Sequence, residues 1–242
     1  ILIEPSARNT AAAICAAAVA LDTKNGNSVM LIAPSDHIIP DGEKFRATVE
    51  AAVPKVLEGQ IVTFGIRPDR AETGYGWLEL KTKPSEDSPT VVQPLLSFVE
   101  KPDTKSAEAL LKGGMHLWNA GIFLFSTATI INAFAEHAPE TLTEVRNAFE
   151  AAELDLGFTR LASEPWSRIK DISIDYAVME RAQNLSVVPY GGSWSDLGDW
   201  QAIWREGEPD GMGVVTDGSS TALDCKNTLL HATSENQELV AI

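Results

Sequence analysis

Two short apolar runs separated by a helical segment constrain the fold of this 242-residue chain more than any other feature. Residues 28–33 (SVMLIA) and 61–66 (IVTFGI) are continuous apolar stretches, as expected of strands buried on both faces. Residues 45–57 between them show helical periodicity in spite of Pro54. A strand, a helix and a second strand within about 40 residues form a βαβ unit, which predicts a parallel sheet.

The rest of the chain continues the alternation of helices and strands. We predict helices at residues 6–21, 106–111, 128–136, 142–152 and 174–182, and strands at residues 78–81, 91–100, 118–125 and 185–189, with a polar turn at residues 83–89. From about residue 207 the chain becomes a series of short extended runs separated by Gly, Asp and Asn. The predicted organisation is an α/β domain over residues 1–205 and a small β-rich segment over residues 206–242.

The acidic composition limits the kind of partner. With 34 acidic against 19 basic residues the formal net charge is −15, so a broad nucleic-acid surface, which needs a basic face, is not expected. A small anionic substrate remains open, because a few Lys and Arg residues can dominate the potential of one cleft.

Cysteine usage and hydropathy indicate the compartment. Two distant cysteines, Cys15 and Cys225, predict neither a disulfide framework nor a zinc site, and they fit a reducing cytoplasm. The longest apolar run, residues 11–21, is too short to span a bilayer, and the N-terminal residues lack the pattern of a signal peptide. We expect a cytoplasmic protein with no membrane partner.

Two aspartates occupy turns where a cation could bind. Asp36 follows a predicted buried strand, and ligands of open parallel sheets bind at the carboxyl ends of the strands. Asp196 lies in a glycine-flanked, Trp-rich turn, where glycine permits close approach of the backbone to a ligand. Each aspartate could equally cap a helix or bond its own backbone.

Three further turns have the chemistry of a sugar-phosphate site. Glu100 and Lys101 end a predicted strand and could serve a sugar hydroxyl and a phosphate, or form a solvated ion pair. The other two turns are Gly74-Tyr75-Gly76, with amides and an aromatic face, and Trp118-Asn119-Ala120-Gly121, whose Asn119 can donate to and accept from hydroxyls. Both also suit tight structural turns.

A polar cluster marks the start of the first predicted helix. Helix N-termini commonly bind anions and nucleotides, although capping is the alternative role for such residues. The cluster consists of Glu4, Arg8, Asn9 and Thr10. The four histidines show no metal-binding spacing, so we interpret them as structural or surface residues.

Together, seven short motifs in this order resemble the bacterial mannose-1-phosphate guanylyltransferases. They are Glu4-Pro5 with Arg8-Asn9-Thr10-Ala11, Pro34-Ser35-Asp36-His37, Thr73-Gly74-Tyr75-Gly76, Phe98-Val99-Glu100-Lys101-Pro102, Trp118-Asn119-Ala120-Gly121, Ser173-Ile174-Asp175-Tyr176 and Trp194-Ser195-Asp196-Leu197-Gly198. Each motif alone is weak, but seven in register form a specific signal. The resemblance covers residues 1–204 and continues loosely into the β-rich segment.

The resemblance implies a Rossmann-like nucleotidyltransferase fold, with a mixed sheet and flanking helices, that joins GTP to mannose 1-phosphate. By similarity, Asp36 and Asp196 bind Mg²⁺ and Lys101 binds the sugar phosphate, so these three are the implied catalytic residues. The implied sugar contacts are Gly74, Tyr75, Gly76, Glu100, Asn119, Gly121 and Asp175, and the implied guanosine contacts are Glu4, Arg8, Asn9 and Thr10. A homo-oligomer is a further expectation.

One departure from the family pattern leaves alternatives open. The family opens with a Gly-rich loop containing an Arg, followed by Pro-Lys, and this sequence starts after the place of that segment. We therefore expect an internal piece of a longer protein, trimmed from it or stabilised by association, and little transferase activity from residues 1–242 alone. A regulatory subunit that binds sugar nucleotides without catalysis is one alternative. The same chemistry on glucose 1-phosphate with another nucleotide is a second, and an isomerase domain beyond Ile242 is also open.

Overall fold

The structure, a computed structural model, describes residues 1–84, 90–234 and 236–242. The predicted polar turn at residues 83–89 therefore lies mostly outside the described residues. The chain divides into two compact units, one of Ile1–Pro34 with Asp41–Gly192 and one of Ser35–Pro40 with Ser193–Ile242. This division groups residues 193–205 with the C-terminal strands, and the domain boundary after residue 205 stays a prediction.

The first unit contains most of the regular structure. Its described helices are α1 (Asn9–Asn25), α2 (Gly42–Leu57), α3 (Thr104–Gly113), α4 (Thr127–His137), α5 (Pro139–Glu150) and α6 (Ser163–Ser167), with a π-helix at Asp175–Met179. Its strands are β1 (Leu2–Ile3), β2 (Val29–Ile32), β3 (Ile61–Ile66), β4 (Trp77–Leu80), β5 (Gln93–Val99), β6 (His116–Ser126), β7 (Glu153–Asp155), β8 (Phe158–Arg160) and β9 (Leu185–Tyr190).

A six-stranded mixed sheet forms the centre of this unit, in the order β2-β6-β3-β9-β5-β4. β3 and β9 pair in parallel, whereas the other neighbouring pairs are antiparallel. β2 and β3 run in the same direction, but β6 lies between them. The mixed α/β fold is therefore confirmed, although the two strands of the predicted βαβ unit are not neighbours, because β6 lies between them.

The two apolar runs that suggested the fold differ in burial. Every residue of β3 is buried, as predicted for a strand covered on both faces. In β2 only Met30 is buried, and Val29 and Leu31 are 41% and 42% exposed. The prediction was wrong for β2 because this strand lies at the edge of the sheet, where one face is less covered.

Small side chains let α1 pack closely against α4 and α5 in the main core. Ala11, Ala12, Cys15 and Ala18 are fully buried there. Burial raises the pKa of the Cys15 thiol to about 12, so Cys15 is a neutral core residue, as its Ala-rich context indicated.

The second unit holds the predicted β-rich segment. It contains α7 (Trp200–Glu206) and the strands β10 (Val214–Asp217), β11 (Ser220–Ala222), β12 (Thr228–His231) and β13 (Leu239–Ala241). β10 pairs in parallel with β12, and β11 pairs in parallel with β13. The segment β10–β11 is therefore followed by a second segment, β12–β13, that runs alongside it in the same direction. Across both units, no helix among the described residues has the length and apolarity to cross a membrane.

Candidate active site

The predicted sugar-phosphate residues converge at one place in the first unit. β5 ends at Val99, and the following residue, Glu100, has a side chain that is 7% exposed. Lys101 has a φ of 46°, and this left-handed conformation turns the chain so that its ammonium group lies 3.3 Å from Glu100 Oε1. Asp175 is close enough for its charge to act on Glu100 and for Lys101 to act on it. The side chains of Glu100 and Lys101, which are adjacent in sequence, therefore lie in the same cluster.

The two carboxyl groups of this cluster, Glu100 and Asp175, both have raised pKa values. Burial raises the pKa of Glu100 above its ordinary 4.5, and the negative charge of Asp175 raises it further, against the ion pair with Lys101. Burial also raises the pKa of Asp175 above 3.8, although a backbone hydrogen bond, Lys101, Asn119 and Ser173 oppose the shift. Carboxylates that have lost water gain from accepting new hydrogen bonds, such as those of sugar hydroxyls.

Asn119 connects this cluster to the sheet. Its Nδ2 donates to Asp175 Oδ1 at 3.1 Å, while its Oδ1 accepts from the Thr63 hydroxyl at 2.8 Å and from the Gly121 amide at 3.2 Å. The residue is 8% exposed. Gly121 has a φ of 68°, which favours glycine where β6 is irregular. Asn119 therefore holds Asp175 in place, and its direct contact with a sugar stays a prediction.

The turn Gly74-Tyr75-Gly76 lies against the same cluster. A Cβ at Gly76 would stand 2.7 Å from Glu100 Oε2 and 3.0 Å from the Phe98 ring, so only glycine lets the carboxylate pack on the backbone. The Gly76 carbonyl accepts a hydrogen bond from the backbone N–H of Asn119 at 2.8 Å. The structure thus brings Gly76, Glu100, Lys101, Asn119 and Asp175 together, and their contacts with a sugar phosphate stay a prediction.

The predicted nucleotide residues occupy the connection from β1 to α1. Arg8 donates to the backbone carbonyls of Trp166 and Ser167, at 3.5 and 3.0 Å. Asn9 Oδ1 accepts from the Thr10 amide, and the Thr10 hydroxyl accepts from the Ile174 amide, each at 2.9 Å. Glu4 is half-buried, and burial raises its pKa. Arg8 and Thr10 therefore anchor this connection beside Asp175, and their role toward guanosine stays a prediction.

The two predicted metal ligands both lie in the second unit. The Ile38 amide donates to the Ser195 carbonyl at 2.8 Å and the Ser195 amide donates back at 3.1 Å, which brings the segments of Asp36 and Asp196 side by side. A Cβ at Gly198 would lie 2.7 Å from Asp196 Oδ2, so glycine leaves room for this carboxylate. The described residues contain no group of three or more His, Cys, Asp or Glu suited to a metal.

This donor set fits Mg²⁺. Magnesium prefers oxygen ligands and is commonly held by one or two carboxylates, with waters and substrate phosphates completing its shell. Asp36 and Asp196 supply two carboxylates. Metal binding at this pair stays a prediction.

His37 lies within the field of both aspartates, which sequence reasoning missed. The Trp194 indole donates to His37 Nδ1 at 3.2 Å, so the ring proton belongs on Nε2. Burial lowers the pKa of His37, although the charges of Asp36 and Asp196 raise it. His37 was interpreted as structural or surface because the histidines show no metal-binding spacing in the sequence. Only its closeness to Asp36 and Asp196 in the structure links it to the predicted metal site.

Comparison with known proteins agrees with the motifs. The sequence profile described as nucleotidyl transferase matches residues 1–210. The chain therefore belongs to the nucleotidyl transferase family.

Particular relatives support the predicted resemblance to mannose-1-phosphate guanylyltransferases. A protein of that name from Sinorhizobium fredii is 42% identical over 95% of this chain and 44% of its own length. The xanthan biosynthesis protein of Xanthomonas campestris is 38% identical over 94% of this chain and 48% of its own length. A Thermus thermophilus crystal structure, titled mannose-1-phosphate geranyltransferase, superposes with a TM-score of 0.83 and 31% identity over 99% of this chain and 67% of that one. The resemblance is confirmed, and the chain spans about half the length of these two curated relatives.

Proposed function

We propose that the protein transfers GMP from GTP to mannose 1-phosphate, giving GDP-mannose and pyrophosphate. The observation that supports this most is the convergence of Glu100, Lys101, Asn119 and Asp175 beside Gly76. Part-buried carboxylates and a glycine turn suit the hydroxyls of an uncharged sugar ring. The exposed ammonium group of Lys101 suits the phosphate attached to that ring.

The chemistry needs no protein nucleophile. An oxygen of the sugar phosphate attacks the α-phosphorus of GTP, the bond from that phosphorus to its bridging oxygen breaks, and pyrophosphate leaves. Both substrates are anionic, so the protein must hold them in line against their mutual repulsion. Lys101 offsets part of this charge, while Glu100 and Asp175 orient the sugar. Glu4, Arg8, Asn9 and Thr10 are proposed to line the guanosine pocket.

The proposal includes Mg²⁺ held by Asp36 and Asp196. When bound, Mg²⁺ supplies positive charge that stabilises the phosphates as charge shifts during transfer. Two carboxylate ligands support Mg²⁺ over a softer metal, which would favour sulfur.

Pyrophosphate release by the full-length protein tests the substrates. GTP and UTP would each be paired with mannose 1-phosphate and glucose 1-phosphate, with Mg²⁺ present or removed by a chelator. We expect the highest kcat/KM for GTP with mannose 1-phosphate, and loss of turnover without the metal. Preference for glucose 1-phosphate or UTP would contradict the proposed specificity, and binding of GDP-mannose without any turnover would indicate a regulatory subunit.

Two expectations about the whole protein accompany this proposal. Cys15 and Cys225 are unpaired in the structure, which supports a reducing compartment such as the cytoplasm. Formation of a homo-oligomer is checked by the mass of the full-length protein in solution.

A further inference from the structure

Arg70 belongs to none of the sequence motifs, yet its side chain joins the groups around the turn Gly74-Tyr75-Gly76. The carbon at the centre of its guanidinium group lies 4.6 Å from the centre of the Trp118 ring and 5.9 Å from that of Tyr75. Both distances are within the roughly 6 Å over which a cation is attracted to an aromatic face. One planar cation therefore contacts an aromatic ring of the turn and one of β6.

Two carboxylates fix the edge of the same guanidinium group. Arg70 Nε donates to Glu72 Oε2 at 3.0 Å, and Nη1 donates to Asp69 Oδ1 at 2.9 Å. The other oxygen of Glu72, Oε1, accepts from the backbone amides of Thr73 and Gly74, each at 3.0 Å. Arg70 is thus linked through a single carboxylate to the backbone of the turn.

The Trp118 ring that Arg70 contacts is itself held in place by packing. The ring is 3% exposed and packs edge-on against Tyr75 at 5.3 Å and Trp77 at 6.2 Å. Its indole N–H is buried and has no acceptor among the described residues, so its orientation depends on ring packing rather than on a hydrogen bond. The next residue, Asn119, bonds Gly76 and Asp175. The aromatic stack is therefore continuous with the candidate sugar site.

We propose that Arg70 is a positioning residue for the sugar-phosphate subsite. It sets the place of Tyr75 and of the glycine amides through cation–π contacts with two rings and through Glu72, without contacting the substrate itself. The inference rests on the proposed function, because its readout is the KM for mannose 1-phosphate. Lysine cannot take over this role, since it lacks the fixed N–H directions with which one guanidinium group bonds Glu72 and Asp69 while it lies over the rings.

Two variants of the full-length protein test the inference. Arg70→Leu is expected to raise the KM for mannose 1-phosphate about tenfold, with the KM for GTP and kcat changed by less than about threefold. Arg70→Lys should give nearly the same increase, because it restores the charge but not the paired hydrogen bonds to Glu72 and Asp69. Full rescue by lysine, or equal increases in both KM values, would overturn the proposal. Arg160→Leu, which removes an exposed arginine paired with Asp155, is the matched control and should leave both KM values unchanged.

A double-mutant cycle separates positioning from direct contact. If Arg70 acts through Tyr75, then Arg70→Leu should add less than about twofold to the KM of a Tyr75→Ala variant. Additive effects would mean that Arg70 does not act through Tyr75, and would refute the proposal. Arg70→Lys in place of Arg70→Leu completes the cycle if the leucine variant does not fold.

Failure of the inference can be told from failure of the proposed function. If the wild-type protein releases no pyrophosphate from GTP and mannose 1-phosphate, the proposed function fails, and the role of Arg70 in it falls too. If the wild-type protein turns over and the Arg70 variants keep its KM values, only the role of Arg70 is refuted.

Discussion

At the residue scale, Lys101 is the side chain whose surroundings bear most directly on its proposed role. It is exposed, it follows a buried carboxylate, and its left-handed backbone directs it toward Glu100 and Asp175. We predict that Lys101→Ala raises the KM for mannose 1-phosphate about tenfold and the KM for GTP much less, since one charge contact is lost. Initial rates with each substrate varied provide the test. Lys105→Ala, on the exposed start of α3, is the control, and equal effects of Lys101→Ala on both substrates would refute the assignment.

Asp175 should make the stability of the fold fall as pH rises through its raised pKa, and this direction distinguishes it from an ordinary carboxyl group. Because its pKa is raised in the folded state, it stabilises the fold most below its ordinary value of 3.8, and this contribution is lost as pH rises through the raised pKa. Asn resembles the protonated acid and still accepts from Asn119. We predict that Asp175→Asn melts at a higher temperature than wild type at pH 7.5, with the difference shrinking toward pH 4. A constant difference at both pH values would show that burial does not raise the pKa of this carboxyl.

The aspartate pair allows a test of the metal. We predict that Asp36→Asn and Asp196→Asn each reduce turnover at least about a hundredfold and shift the Mg²⁺ titration to higher concentration, because a charged ligand is lost. Steady-state rates over a range of Mg²⁺ concentrations give both quantities. Asp155→Asn, on the exposed strand β7, is the matched control. Wild-type Mg²⁺ dependence in either variant would remove that aspartate from the metal site.

Local sequence predicted some site residues and could not predict others. Glu100 and Lys101 were recognisable because a strand ends just before a proline, and the glycines of the 74–76 turn were recognisable by type. Arg70 gained significance only from its contact with Trp118, which is far away in the chain. His37 gained it from the charge of Asp196, which is also distant in sequence and acts on His37 together with the neighbouring Asp36. Such contacts depend on the fold, so a single sequence does not contain a local signal for them.

At the element scale, β3 connects the sheet to the candidate site. Gly65 in this strand pairs with Asn119, and a Cβ there would stand 2.5 Å from Leu117 Cδ1 and 2.8 Å from Val187 Cγ2. We predict that Gly65→Ala destabilises the protein by about 1–3 kcal/mol, because neighbouring strands leave no space for a methyl group. Denaturant unfolding measures the change. Gly113→Ala in α3, where a Cβ meets nothing within 4 Å, should be neutral or slightly stabilising. A neutral Gly65→Ala would show that the strands separate easily.

Elements were predicted best where periodicity was long. The helices α1, α2, α4 and α5 and the buried strand β3 follow from apolar patterns of six or more residues. The hairpin of β7 and β8 was missed because three-residue strands are too short to show alternation, and α6 and α7 are similarly brief. The helix predicted at residues 174–182 is a π-helix at Asp175–Met179, whose wider hydrogen bonds leave no signature in residue type.

At the scale of the whole molecule, the acidic composition and the proposed substrates are compatible because a few basic side chains can dominate the potential of one small site. The chain has a formal net charge of −15, yet its proposed phosphate contact is a single exposed lysine, which lies beside two carboxyls whose pKa values are raised by burial. The global charge therefore argues against nucleic acid while leaving a small phosphorylated sugar acceptable.

Phosphorus NMR of the full-length protein with GTP, mannose 1-phosphate and Mg²⁺ tests the central claim most directly. The account predicts that the signals of both substrates decline together while the two coupled signals of GDP-mannose and the signal of pyrophosphate grow in equal proportion. This balance is specific to nucleotidyl transfer. The account would be contradicted if inorganic phosphate and GDP formed instead. It would also be contradicted if the signals of both substrates persisted in the presence of the protein.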